Sequence, residues 1–294
     1  MDKIDEIMNG FIASLGYDGA ETMFSRVSSG KKLRSKLILK IAGENERAFT
    51  LCAVIELIHL ASLLHDDVID ESNLRRGSPS INALFGAKNA VMLGDVLYSK
   101  GYNELVKFDP EVARVVSDAV CKLSIGELMD VQMGEAFNVD LEKYEKMIYF
   151  KTAVLIEAAA KSAAMISNLN PQIYAEYGKN LGLAFQIIDD VLDIASDEAT
   201  LGKPAMQDFA EGKTTLPYIL LYERMEGDDR TVLLNLFKKP LGEGEKGWLR
   251  LKFESTGALK EAVKIAREYG ERALEATPNS NLKEIAQSMI DRKF

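Results

Sequence analysis

Histidine and cysteine are scarce in this 294-residue chain, two of each, and tryptophan occurs once. Two thiols over such a length cannot form a disulfide framework. Cys52 and Cys121 both stand among apolar neighbours, which predicts two buried thiols serving as small core residues in a reducing compartment. His59 and His65 are six apart and do not share a helix face, which argues against zinc. Positive charge is not in excess: 45 acidic against 36 basic side chains give a net charge of −9. A sequence-independent nucleic-acid binder runs basic, so no nucleic-acid partner is expected. No run reads as a membrane span, and the opening MDKIDEIMNGF lacks the basic-then-apolar order of a signal peptide. The expectation is a cytoplasmic protein without an integral membrane segment. There is no GxGxxG or GxSxG, and Gly212-Lys213-Thr214 lacks the earlier glycine of a nucleotide P-loop, since Gln207 stands there.

What the chain does contain is helical periodicity from end to end. Ile4, Ile7, Met8, Phe11 and Ile12 recur at three-and-four spacing, as do Leu51, Val54, Ile55, Ile58 and Ala61. Prolines and glycine clusters punctuate the pattern, while strand-like alternation, repeats and low-complexity tracts are nearly absent. The expectation is one all-α domain over residues 1–294, a bundle of roughly a dozen helices. Residues 51–65, 153–166 and 181–192 are apolar on more than one face and must be enclosed by other helices.

Two of these apolar helices end in acid. His65-Asp66-Asp67-Val68-Ile69-Asp70 and Ile188-Asp189-Asp190-Val191-Leu192-Asp193 share the spacing Asp-Asp-x-x-Asp. On a helix the first and last carboxylates lie one turn apart on one face, where they repel. A helix C-terminus also disfavours negative charge. Physics opposes the arrangement twice over, and its recurrence implies a missing cation. All-oxygen, non-chelating ligation that leaves room for phosphate oxygens suits Mg²⁺. An anionic ligand should then find basic partners, and these occur at Lys31, Lys32 and Arg34, at Arg75 and Arg76, at Lys151, at Lys203 and at Lys213.

The stretches GKKLR (30–34), ELIHLASLLHDDVID (56–70), LRRG (74–77), KT (151–152), FQIIDDVLD (185–193), GKP and GKTTLP resemble the trans-isoprenyl diphosphate synthase (polyprenyl synthetase) family over nearly the whole chain. The resemblance implies the isoprenoid synthase fold, a helical bundle around a deep apolar cavity, and a prenyl elongation reaction. Asp66, Asp67, Asp70, Asp189, Asp190 and Asp193 would hold an allylic prenyl diphosphate through two or three Mg²⁺ ions. Arg75, Lys151, Lys203 and Lys213 would grip the same diphosphate. Isopentenyl diphosphate would sit with Lys31, Arg34, His59 and Arg76, and Thr152 and Gln186 would position the developing cation. A homodimer is implied. Three positions depart from the family pattern: Ser35 stands for Pro, Lys32 for Arg, and Asp130 for a Gln.

The product tail should descend along the helix that ends in Asp66, past Ser62, Ala61 and Ile58. In the family, bulky aromatics at the first two positions shorten the product; here both are small, so a product longer than geranylgeranyl, octaprenyl-like, is expected. The alternatives are that Ala61 and Ser62 serve close helix packing, and that Tyr98 and Tyr102 close the tunnel early, giving a farnesyl or geranylgeranyl synthase. A terpene cyclase and a non-catalytic regulatory subunit are more distant rivals. The GKKLR and LRRG residues argue against the first, the intact six aspartates against the second.

Overall fold

A computed structural model describes residues 1–28, 30–195, 205–277 and 279–290, the side chains of 288–290 excepted. The fold is all-α, as the periodicity requires. In chain order the helices are α1 (Asp2–Ala13), α2 (Asp18–Phe24), α3 (Leu33–Ala42), α4 (Glu46–Ile69), α5 (Ile81–Phe85), α6 (Ala87–Leu105), α7 (Pro110–Met133), α8 (Leu141–Ile148), α9 (Val154–Ile166) and α10 (Pro171–Ala195). Beyond the undescribed residues 196–204 come α11 (Gln207–Ala210), α12 (Leu216–Arg224), α13 (Asp228–Leu236), α14 (Glu243–Thr256), α15 (Ala258–Ala276) and α16 (Ser280–Ile290). Between α8 and α9 the segment Tyr149–Ala153 winds as a π-helix. The described residues contain one two-stranded antiparallel sheet, β1 (Leu74–Arg75) with β2 (Ser78–Pro79).

Local chemistry explains where these helices begin. Asn45 Oδ1 accepts the Ala48 amide 2.9 Å away and caps α4, and Asp140 Oδ1 does the same for Lys143 at 3.1 Å on α8. Helices α7 and α10 open on Pro110 and Pro171, where the missing amide proton costs nothing.

The chain divides into two compact units: Met1–Cys121 with Leu155–Gly178, and Lys122–Val154 with Lys179–Phe294. In the first, α4 is the central helix, packed by α1, α3 and α6. Its residues from Leu51 to Ile58, Glu56 included, are buried all the way round. In the second, the core gathers Tyr144, Ile148, Ile187, Val191, Phe209, Tyr218, Leu221, Leu249 and Phe253. Phe209 and Tyr218 stack there with ring centroids 4.2 Å apart.

One expectation is corrected. Cys52 is buried, its thiol 3.6 Å from the Ser35 carbonyl and pushed up to about 12 by burial. Cys121, however, is exposed. Its apolar neighbours Ala119, Val120 and Leu123 are buried, but Cys121 itself falls on the outward face of α7, where Ile125, Leu128 and Val131 are also exposed. By length and composition alone, α4 could span a bilayer. Two thirds of its most apolar window lies inside the protein, so packing against other helices accounts for its composition.

Candidate active site

In the first unit, α4 carries the first acidic motif into its last turn, and Asp70 closes the helix with its amide 2.8 Å from the Asp66 carbonyl. Asp66 and Asp70 are partly exposed, whereas Asp67 is buried. The Asp67 carboxylate accepts Arg75 Nε at 2.8 Å and a second, shorter bond from Arg75 Nη2. Its carbonyl accepts the Ser72 amide at 2.9 Å and Asn82 Nδ2 at 3.3 Å, which ties the following loop behind the motif. Burial raises the Asp67 pKa, and Arg75 opposes that rise without cancelling it.

The loop after α4 then reverses through Arg76 and Gly77, both in the left-handed region (φ 55° and 74°). Two consecutive positive φ angles suit a two-residue hairpin turn, natural for Gly77 and strained for Arg76. Arg76 Nη1 donates to the Ser28 carbonyl at 3.0 Å. Its guanidinium lies over Gly30, where a Cβ would come within 2.5 Å of Nη2 and oblige the guanidinium to move.

These turns assemble a basic cluster. His59 on α4 is driven well below its ordinary pKa by burial and then by Arg34, Arg76 and Arg75, which keeps the imidazole uncharged. Burial brings Arg34 down to about 10, with Glu56 working against the shift and Arg76 adding to it. Arg34 Nε is buried without a hydrogen-bond partner. Glu56 is itself buried and accepts the Ser35 hydroxyl at 2.6 Å. Three guanidiniums beside an uncharged imidazole, with Glu56 and Asp67 as their acidic neighbours, concentrate positive charge that favours an anionic ligand. Of the four residues expected for isopentenyl diphosphate, the structure gathers Arg34, His59 and Arg76; Lys31 is exposed beside Lys32, which turns inward (φ 48°) and pairs with Asp5 of α1. Arg75, expected on the allylic diphosphate, joins this cluster as the partner of Asp67.

Of the residues expected to set product length, Ile58 and Ala61 have no exposed surface. Ser62 is partly exposed, and its hydroxyl donates to the His59 carbonyl at 2.8 Å. Tyr98 stands with its ring 5.6 Å from that of His65, and burial, with Cys121 nearby, pushes Tyr102 up to about 12.

The second unit places the second motif near the end of α10. Asp189 is partly exposed, while Asp190 and Asp193 are buried. Asp190 accepts the Tyr144 hydroxyl on one oxygen and Gln186 Nε2, 2.8 Å away, on the other. Gln186 Oε1 in turn accepts the Thr152 hydroxyl at 2.6 Å. Burial holds the Asp190 pKa well above the ordinary carboxylate range, Asp208 and Asp189 adding repulsion against the relief from Tyr144 and Gln186. Asp193 accepts the Asp208 amide at 3.3 Å and, through its carbonyl, that of Met206 at 2.7 Å.

Lys151, on the π-helical segment, sits 2.9 Å from Glu127 and 2.5 Å from Asp130. The segment's backbone presses on Gly126, where any Cβ would overlap the Lys151 amide. Lys213 stands 3.2 Å from Glu211, and its amide donates to the Asp208 carbonyl at 2.8 Å. Lys203 lies outside the described residues.

Tyr144, Asp208, Glu127 and Glu56 were not read from the sequence. Glu127 stands beside the departure noted at Asp130, and that neighbourhood was its one available signal; Tyr144 meets Asp190 from 46 positions away.

The donor chemistry of the two motifs, oxygens only, suits Mg²⁺. Among the described residues, no three carboxylate, histidine or cysteine side chains converge closely enough to hold an ion by themselves.

Comparison with known proteins bears on the same residues. The polyprenyl synthetase family model matches residues 20–247. The short chain isoprenyl diphosphate synthase of Methanothermobacter thermautotrophicus is 38% identical, over 90% of this chain and 87% of that one. Solanesyl diphosphate synthase 1, chloroplastic, of Arabidopsis thaliana is 35% identical, over 92% of this chain and 70% of that one. The octaprenyl pyrophosphate synthase structure from Helicobacter pylori matches at a TM-score of 0.94 and 46% identity, covering 98% of this chain and 97% of that one.

Proposed function

The chain belongs to the polyprenyl synthetase family and is a trans-prenyltransferase, and from that premise we propose that it adds isopentenyl diphosphate repeatedly to an allylic prenyl diphosphate to make an octaprenyl-like product. The single observation that carries this reading is the basic cluster of Arg34, Arg75 and Arg76 around uncharged His59, immediately before an aspartate motif on the same helix. A cyclase has no use for a second diphosphate site. We treat 1–294 as one catalytic domain, because the family match at 20–247 runs through both units.

Arg34, Arg76 and His59, with Lys31 at the rim, bind the diphosphate of the isopentenyl substrate by charge and bidentate hydrogen bonds, without metal. The uncharged imidazole donates or accepts without adding to the repulsion among the arginines. Asp66 and Asp70 in the first motif, and Asp189 in the second, are the more exposed carboxylates and would bind the allylic diphosphate through Mg²⁺. Asp67, Asp190 and Asp193 support them from the interior.

Mg²⁺, two or three ions when bound, neutralises the charge that builds on the leaving diphosphate. Lys151, Lys203 and Lys213 add fixed positive charge on the same group. Cleavage of the carbon–oxygen bond leaves an allylic cation, which the Thr152 and Gln186 oxygens help to orient. The double bond of isopentenyl diphosphate attacks it, and the departing diphosphate takes the proton that is lost. Val68, Val191 and Leu192, between the aspartates, keep water from the cation, whereas Ile69 is exposed.

The homodimer forms on the outward face of α7 that bears Ile125, Leu128 and Val131, and the protein acts in the cytoplasm. A short-chain product is the second reading, favoured by the enclosed Ala61 and by the 38% identity to the Methanothermobacter enzyme. One experiment separates the two. The protein is incubated with Mg²⁺, farnesyl diphosphate and labelled isopentenyl diphosphate, and the products are sized. Label in chains beyond twenty carbons supports elongation to a long product, and label that stops at twenty carbons supports the short-chain reading; where farnesyl diphosphate takes up no label, geranyl diphosphate replaces it, fifteen-carbon label then supports a farnesyl synthase, and no incorporation with either primer defeats both.

A further inference from the structure

The hydrogen bonds of the second unit run in one direction. A phenol hydroxyl donates to the Asp190 carboxylate, and so does the Gln186 amide nitrogen, 2.8 Å from the other oxygen. With that nitrogen committed, the Gln186 amide presents its oxygen to Thr152, whose hydroxyl must donate at 2.6 Å. The Thr152 proton is thereby spent, and the lone pairs of its oxygen are left pointing away from Gln186. The backbone beneath Thr152 has no freedom to compensate. It is π-helical, and it is pinned by Gly126 on one side and by Gly182 on the other, where a Cβ would come within 2.5 Å of Ala153 Cα. π-Helical turns of this kind concentrate at functional sites. What remains adjustable is the side-chain chain itself, and its far end is Tyr144, which has no exposed surface.

Tyr144 is an expensive residue for a core. It sits one turn into α8, whose start is fixed by the Asp140 cap, amid Met147, Ile148, Ile187 and Val191. Its hydroxyl meets the Leu216 backbone as well as Asp190, and a phenylalanine would fill the same space without placing a donor against a buried acid.

Building on the role of Thr152 and Gln186 given above, we propose that Tyr144 is a positioning residue for the ionisation step: it holds Asp190 turned inward, so that Gln186 fixes the Thr152 hydroxyl as an acceptor facing the allylic cation. Without the phenol hydroxyl, Asp190 loses the donor on one oxygen and is free to rotate. The Gln186 amide then has no fixed partner, and Thr152 no longer presents a defined lone pair where positive charge develops.

The test uses the full-length protein and measures wild-type elongation first. Tyr144→Phe folds with the wild-type far-UV spectrum and lowers kcat about tenfold, the scale of one hydrogen bond. The KM for isopentenyl diphosphate stays within about twofold, since its residues are untouched. Magnesium diphosphate binding, followed by calorimetry, is unchanged. Thr152→Val is slow as well, and the double variant is no slower than Thr152→Val within about twofold, because both changes cut one pathway. Effects that multiply in the double variant, or a Tyr144→Phe enzyme with wild-type kcat, overturn the proposal, as does a loss confined to magnesium diphosphate affinity. If Tyr144→Phe does not fold, Gln186→Leu breaks the same chain one link further on and must show the same non-additivity with Thr152→Val. Absence of wild-type elongation overturns both this proposal and the function it rests on, whereas normal wild-type turnover with multiplying variants overturns this proposal alone.

Discussion

The two acidic motifs spell one pattern, yet their middle carboxylates live under different chemistry. Asp67 is buried against a cation: Arg75 is delivered to it by a hairpin eight residues on and takes one of its oxygens with two nitrogens. Asp190 is buried against neutral donors, Tyr144 and Gln186, with Asp208 and Asp189 adding negative charge. Their last members differ too, since Asp70 ends its helix partly exposed whereas Asp193 is buried within α10. The buried middle carboxylate of the first motif meets a guanidinium, while that of the second meets neutral donors. A motif's sequence therefore names its donors but not what the fold sets against them.

The largest effect expected from this comparison is on turnover. Replacing Asp66 or Asp189, the partly exposed first members, by alanine should each cut kcat by at least ~10²-fold, as the loss of a preorganised electrostatic contact does. Near-normal turnover in both variants would remove the metal role from the motifs altogether.

Within the first unit, Ala61 and Ser62 sharpen the question of product length. Ser62→Phe should shorten the dominant product at little cost in thermal stability, because the site is partly open. Ala61→Phe should instead lower stability by about 1–3 kcal/mol, the usual penalty for overpacking an enclosed position. Product sizing beside thermal denaturation reads both. A stable Ala61→Phe enzyme with a shorter product would put Ala61 on the tunnel after all, and an unchanged product in both variants would take both residues off it.

The smallest effect is on the metal-free protein. Asp190→Asn should stabilise it at neutral pH, by about 1 kcal/mol, whereas Asp67→Asn should gain less because it strands Arg75. The sign follows from the raised Asp190 pKa. Its favourable contribution is complete below the unfolded carboxylate pKa of about 4 and is lost as pH rises through the higher folded value. The advantage of Asp190→Asn, followed by thermal melts in chelator, should thus be absent in strong acid and widen upward through mildly acidic pH. An advantage that shrinks as pH rises would reverse the assignment of strain.

Much of this was legible before any coordinates. Helical class follows from apolar spacing that repeats every three or four residues, and α4 declares its burial by being apolar all round. The aspartate triads and the Arg75–Arg76 pair are local patterns, fixed by a handful of neighbouring residues. Cys121 misled for a related reason: its apolar neighbours Ala119, Val120 and Leu123 are buried, but adjacent helix positions point about 100° apart, and α7 turns Cys121 out. Tyr144, Asp208 and the Glu127–Lys151 pair were out of reach, because nothing in a chain's order tells which distant residue will meet a given carboxylate.

The sequence by itself determined the kinds of donor present and their spacing along each helix, because one helical turn brings residues four apart to the same face whatever surrounds them. Only the tertiary structure decided which aspartates are shielded and by whom: burial and charge pairing are set by segments tens of residues away, and the energy of a carboxylate depends on that surrounding dielectric far more than on its neighbours in the chain.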